Sequence, residues 1–261
     1  MARIDDRVFA LLPLGRGTGG EPGSVAVGTL TGDLYFVDAS ARRPPRRWRY
    51  HTDGSFALLQ LPGPTGGGDV LVGGGRGRLS RWRADGSAMI TAIELCAGVR
   101  IRSLAFLRRP GLIAAGTGAG DVHLLAPRSL RAVHVIERAH ELTVFSIADA
   151  GDRFYTAGRD GKLRAWSGAA PFAQLLHVDA HAATVNAVAI REDGGPIATV
   201  GRDREVRLWR EEPGGLVLAK ALIAGRDGGH AASVNAGSWL AGGLATAGDD
   251  RTIRYWPTRA E

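Results

Sequence analysis

The sequence predicts an all-β chain built from six copies of one repeat, and three observations carry that expectation. First, a five-residue code occurs three times in the second half: His140, Val144, Thr156, Asp160 and Trp166; His181, Val185, Thr199, Asp203 and Trp209; His230, Val234, Thr246, Asp250 and Trp256. In each, Val follows His by four residues, Asp follows Thr by four, and Trp follows Asp by six. Second, the text around each code is hairpin text: a short apolar strand, a tight Gly/Asp turn and a strand of alternating apolar and polar residues. Third, weaker copies occupy the first half at the same interval, and a steady period of this size decides a fold before local propensity does.

From the N-terminus, the first repeat is VAVGTLTGDLYFVD, with Val37 at the Trp position and Val27 and Thr31 in the Thr and Asp slots. The second, VLVGGGRGRLSRWR, has Trp82 there, with Val72 and Arg76 in the other two slots. The third, IAAGTGAGDVHLLA, offers Leu125, Ala115 and Ala119. The fourth to sixth are FYTAGRDGKLRAW, IATVGRDREVRLW and LATAGDDRTIRYW. The markers Val37, Trp82, Leu125, Trp166, Trp209 and Trp256 stand 41 to 47 residues apart, which leaves no gap for a seventh.

This set resembles the WD40 family of β-propellers, whose repeats carry a GH-like loop, a Ser or Thr in the second strand, a turn Asp and a third-strand Trp. The Asp of the family's dipeptide is absent here, since Trp166, Trp209 and Trp256 precede Ser167, Arg210 and Pro257. The resemblance implies a six-bladed WD40-like β-propeller with four antiparallel strands per blade, residues 1–261 forming a single domain. Five residues follow Trp256 and 37 run to Val37, together about one repeat length. The last blade is therefore expected to take its outer strand from the N-terminus, around Ala2 to Asp5, closing the ring without an unpaired edge.

In this family the same residues form a hydrogen-bonded structural tetrad running from Asp to His to Thr to the Trp indole. The resemblance thus implies three tetrads: His140, Thr156, Asp160 and Trp166; His181, Thr199, Asp203 and Trp209; His230, Thr246, Asp250 and Trp256. The chemistry suits that role, because Trp only donates, Thr both accepts and donates, and a carboxylate accepts from His. A catalytic Thr–His–Asp reading is set aside, because an active site is needed once and the set occurs three times. The first three repeats replace the set with Val, Ala, Leu and Gly, apart from Trp82. That predicts blades held by apolar packing alone, since a half-satisfied polar network is worse than none.

Composition narrows the function. The start, MARIDDRVFALLPL, scatters charges among apolar residues, as neither a secretion signal nor a spanning helix does. With Cys96 the single cysteine, no internal disulfide can form, and a reducing, cytoplasmic setting is expected. Net charge is +7, and only Lys162 and Lys220 of the 33 basic residues are lysines. This skew fits the codon bias of a GC-rich bacterial genome better than selection for anion forks, so nucleic acid is the less favoured partner. The glycine runs at 15–20 and 73–77 lack the Lys-Ser/Thr of a phosphate loop and read as hairpin turns. The histidines have no HExxH spacing, and one cysteine makes no zinc framework, so neither metal nor cofactor is expected.

Two candidate contact regions remain. In the family, the loops carrying the tetrad Asp and His lie at one end of the central channel, and the residue before the Asp points to that partner-binding face. Here those residues are Arg159, Arg202 and Asp249, with Arg76 in the Asp slot itself, a rim suited to an acidic peptide, a carboxylate or a phosphate. The second region is the segment 41–50, read as a loop between the third and fourth strands of the first blade. It holds Arg42, Arg43, Arg46, Arg47 and Trp48, with Trp48 open to use in the following strand.

The resemblance implies a platform with no chemistry of its own. The expected protein is a non-catalytic protein-binding scaffold or adaptor, a monomeric propeller in a bacterial hetero-complex, with no membrane association. The alternatives are an anion- or nucleic-acid-binding module and, less favoured, an enzyme with a site at the channel mouth. The latter would need carboxylates and histidines converging on one face.

Overall fold

The computed structural model describes residues 4–15, 23–38, 40, 43–63, 67–191 and 193–257. Among these every regular element is a strand, arranged in six antiparallel sheets that each follow chain order. The chain clusters into two compact units. The first is Met1–Phe106 with Ile113–Gly118 and His123–His134; the second is Leu107–Leu112, Ala119–Val122 and Val135–Glu261.

The first sheet comprises β1 (Val8–Pro13), β2 (Ser24–Thr29), β3 (Asp33–Asp38) and β4 (Arg46–Arg49). The second holds β5 (Ser55–Gln60), β6 (Val70–Gly74), β7 (Arg78–Trp82) and β8 (Met89–Glu94). The third is β9 (Ile101–Leu107), β10 (Leu112–Thr117), β11 (Val122–Leu125) and β12 (Ala132–Ile136), and the boundary between the units falls within it. The fourth holds β13 (Val144–Asp149), β14 (Arg153–Gly158), β15 (Lys162–Ser167) and β16 (Gln174–Asp179). The fifth holds β17 (Val185–Ala189), β18 (Ile197–Gly201), β19 (Val206–Glu212) and β20 (Gly215–Leu222). The sixth has β21 (Val234–Leu240), β22 (Gly243–Gly248) and β23 (Ile253–Pro257), three strands among the described residues. Of its expected outer strand, around Ala2 to Asp5, residues 2 and 3 lie outside the described ones, and Ile4 and Asp5 lie in no strand.

Period-two patterning explains how these sheets stack. A strand residue and its next neighbour face opposite sides, so one sheet serves two cores. Val70, Val72 and Trp82 of the second sheet pack on Ala26, Leu34 and Phe36 of the first. Its Leu71 and Leu79 turn the other way, to Ile101, Ile113, Ala115 and Leu125 of the third. In the second unit, Trp209 and Val185 pack on Tyr155, Ala157 and Leu163, while Ala198, Val200 and Val206 meet Val234, Leu244 and Trp256. Trp82, Trp209 and Trp256 thus each seal the seam with the blade before them.

The segment 41–50 departs from expectation. Arg46, Arg47 and Trp48 lie on β4, paired across to Phe36, Tyr35 and Leu34, and Asp33 pairs with Arg49. Arg42 lies outside the described residues. The prolines at 44 and 45 end just where the strand begins, so they delay it without preventing it.

Candidate partner-binding site

The structure brings each of the three polar sets together. Trp166 Nε1 donates to Thr156 Oγ1 at 2.9 Å, His140 Nε2 lies 2.8 Å from that hydroxyl, and His140 Nδ1 is 2.8 Å from Asp160 Oδ1. Trp209, Thr199, His181 and Asp203 repeat this at 2.8, 2.9 and 2.8 Å. Trp256, Thr246, His230 and Asp250 do so at 2.9, 2.8 and 3.0 Å. The indole can only donate, so the hydroxyl accepts from it and donates to Nε2, which leaves the Nδ1 proton for the carboxylate. A glycine two residues beyond each Thr makes room: a Cβ on Gly158, Gly201 or Gly248 would collide with the ring of its histidine.

Burial pushes the Asp160 carboxyl up, but hydrogen bonds from His140 and Arg164 outweigh it and hold the group well below the usual range. Asp203 is lowered against the same opposing burial by His181, and Asp250 by Thr252 and His230. These acids stand as ionised acceptors at the ends of sealed chains. Thr156, Thr199, His140 and His230 are wholly buried, and no substrate reaches their reactive atoms.

Blades one and two overturn the expectation of apolar packing alone. His51 Nε2 lies 2.8 Å from Ser80 Oγ, which accepts from Trp82 Nε1 at 2.8 Å. The hydroxyl missing at Val72 on β6 is thus restored from β7, where Ser80 stands two residues before Trp82. Blades four to six carry Arg164, Arg207 and Arg254 in that slot. Gly74 clears space for the His51 ring, as the other glycines do for theirs. In blade one the buried Asp33 accepts Arg49 Nε at 2.9 Å and Arg47 Nη2 at 2.6 Å, and hydrogen bonding from Arg49 holds its pKa down against burial.

Most of the basic segment is therefore engaged within the fold. Arg47 is tied to Asp33, Arg46 Nη1 donates to the Asp85 carbonyl, and Trp48 Nε1 donates to the Gly86 carbonyl at 3.0 Å. The Trp48 ring lies 5.5 Å from that of Trp82. Arg43 remains exposed. These are the constraints of an outer strand, so residues 46–49 are strand where a loop was expected.

The rim positions are set by a backbone register common to all six blades. The N–H of Leu30, Gly75, Gly118, Arg159, Arg202 and Asp249 donates to the carbonyl of Arg7, Gly54, Arg100, Thr143, Thr184 and Ser233, respectively. Arg159 and Arg202 are exposed. Asp249 accepts from Asn235, and Arg76 pairs with Asp53 at 2.5 Å. Two residues after five of those carbonyls the strand is bulged, leaving Phe9, Phe56, Phe145, Asn186 and Asn235 out of the ladder. Arg102 holds the corresponding position in the third blade. Asn186 Nδ2 donates to the Val234 carbonyl at 2.8 Å, tying blade five to blade six. A cavity of about 590 Å³ in the second unit is lined by Arg191, Asp193, Ser238, Trp239 and neighbouring apolar residues such as Ile190 and Leu240. Its Arg191 is already paired with Asp193 and stacked 5.1 Å over Trp239. Among the described residues no cluster of His, Cys, Asp and Glu could hold a metal, and no helix is long and apolar enough to cross a membrane.

Residues 173–210 match the family model described as WD domain, G-beta repeat. A chain from the crystal structure of the mitotic checkpoint complex superposes with a TM-score of 0.76 at 18% identity, covering 94% of this chain and 76% of that one. At that identity the likeness is one of fold. No curated protein matches the sequence.

Proposed function

We propose that this chain, which belongs to the WD40-repeat β-propellers, is a non-catalytic scaffold that holds a protein partner as one subunit of a larger assembly. WD40 propellers are generally protein-interaction scaffolds, so the general class follows from the family, while the site must be argued from this chain's residues. The observation that carries the reading is the pair Arg159 and Arg202. They occupy one slot in successive blades, both are exposed, and each is fixed by a backbone bond of 2.9 Å. Sealed tetrads beneath them hold that register, so the guanidiniums start from a rigid base and binding costs less ordering. Planar forks of this kind suit the carboxylates of an acidic peptide or surface. The lone Cys96 supports a reducing, cytoplasmic setting, and the excess of arginine over lysine supports a bacterial source.

The test is capture from lysate of the source organism by wild type beside Arg159→Glu with Arg202→Glu. The double variant is expected to keep the wild-type melting temperature, because both side chains are exposed. It should lose a protein that wild type retains. Full retention of every partner would sink the rim reading, and capture of nucleic acid alone would replace the scaffold with a charge-driven binder.

A further inference from the structure

The turn that carries each rim residue closes through a position in the left-handed backbone region, which favours glycine. Four blades put glycine there: Gly32, Gly77, Gly120 and Gly161, at φ of 74° to 99°. A Cβ on these would strike the carbonyl of His51, Cys96, His140 and His181, respectively. Blades five and six put Arg204 and Arg251 in that slot, at φ of 74° and 61°. Their N–H groups donate to the carbonyls of Gly201 and Gly248, the same bond that Gly32 and Gly161 make to Thr29 and Gly158. The turn is therefore the same, and only the residue in its least tolerant position differs.

A side chain held at left-handed φ is strained, and such strain points to a use other than folding. Glycine would relieve it at both sites, and folding gains nothing visible from either guanidinium. Both residues are exposed, and neither guanidinium has a hydrogen-bond or ion-pair partner among the described residues. By contrast, Arg164, Arg191 and Arg207 of the same unit are bonded to Asp160, Asp193 and Glu205. We propose that Arg204 and Arg251 are contact residues of the partner face, each taking a carboxylate of an acidic partner segment. Arg202 and Arg204 flank Asp203, whose own carboxylate is turned inward onto His181, so one turn offers two forks to a pair of acidic side chains. In blade six Asp249 holds the slot of Arg159 and Arg202, so a carboxylate breaks the row of cations. That break suits the discrete charges of a peptide better than a continuous run of phosphates. The proposal rests on the protein-binding reading but on two residues separate from Arg159 and Arg202.

The probe is a short fluorescein-labelled oligoglutamate, read by anisotropy against oligoglutamine and against labelled oligothymidylate at one salt concentration. Wild type is expected to prefer the oligoglutamate. Arg204→Gly with Arg251→Gly should weaken that binding roughly tenfold while raising the melting temperature, because glycine relaxes both turns. Arg204→Lys with Arg251→Lys keeps charge and strain but loses the planar fork, so its affinity should fall between, without the rise in melting temperature. Opposite movement of affinity and stability separates a contact role from a structural one. A glycine variant that binds like wild type, or melts below it, overturns the proposal. Equal binding of oligoglutamine, no binding by wild type, or tighter oligothymidylate binding that depends on these two arginines does so as well. If Arg159→Glu with Arg202→Glu abolishes peptide binding while the glycine variant keeps it, these turns are wrong and the rim reading stands. Loss in the glycine variant while lysate partners stay bound to the rim double variant supports these turns and removes the rim.

Discussion

Trp209→Ala is expected to destabilise the fold by about 3–5 kcal/mol, the cost of deleting a large buried ring whose surroundings relax only in part. Trp209 is 5% exposed and sits in the seam with the fourth sheet, against Tyr155, Ala157 and Leu163. Its loss also strands the Thr199 hydroxyl, although Thr199 still donates to His181. The conservative Trp209→Phe separates the two effects. It keeps most of the packing and should cost clearly less, the remainder reporting the indole hydrogen bond. Urea unfolding followed by circular dichroism measures both, and an alanine variant with the wild-type midpoint would show that the seam does not depend on this ring.

The second large effect is acid sensitivity through His51. Burial, with Arg78 nearby, pushes its pKa down from 6.5 to about 4. A base depressed in this way is neutral in the folded chain and charges on unfolding. Its contribution is fully present above pH 6.5 and is lost as pH falls toward 4, because the unfolded chain binds the proton first. Over that window the loss approaches roughly 3 kcal/mol, from a difference of about 2.5 pH units. Geometry agrees, since Nε2 must accept from Ser80 while Ser80 accepts from Trp82. The lowered carboxyls of Asp33, Asp160 and Asp203 act in a separate window: their contribution is present above pH 3.8 and lost below it. Urea midpoints at pH 7 and pH 4.5 should therefore differ markedly in wild type and much less in His51→Gln. Equal slopes in the two proteins would show that His51 is not the group responsible.

How legible all this is in the sequence depends on whether chemistry stays in its slot. The last three tetrads can be read directly, because the same residue types recur at the same spacing. Blade two cannot, because its hydroxyl moved from β6 to β7 and its histidine lies further from Trp82 than His140 does from Trp166. Gly74, in the slot of Gly158, was the signal that a ring needed room there. The segment 41–50 misleads because charge is visible in sequence and neutralisation is not. Asp33 is brought beside Arg47 and Arg49 only by the register of β3 against β4.

The bulges at the start of the inner strands bear on how such a protein changes over evolutionary time. A residue outside the ladder contributes no backbone hydrogen bond to the sheet, so replacing Phe9 or Asn235 alters what the surface displays while the strands stay paired. The tetrads and seams need particular residue types, whereas the bulged positions already hold both aromatic and amide side chains within one chain. The displayed side chain can therefore change one blade at a time without unpairing the strand that carries it.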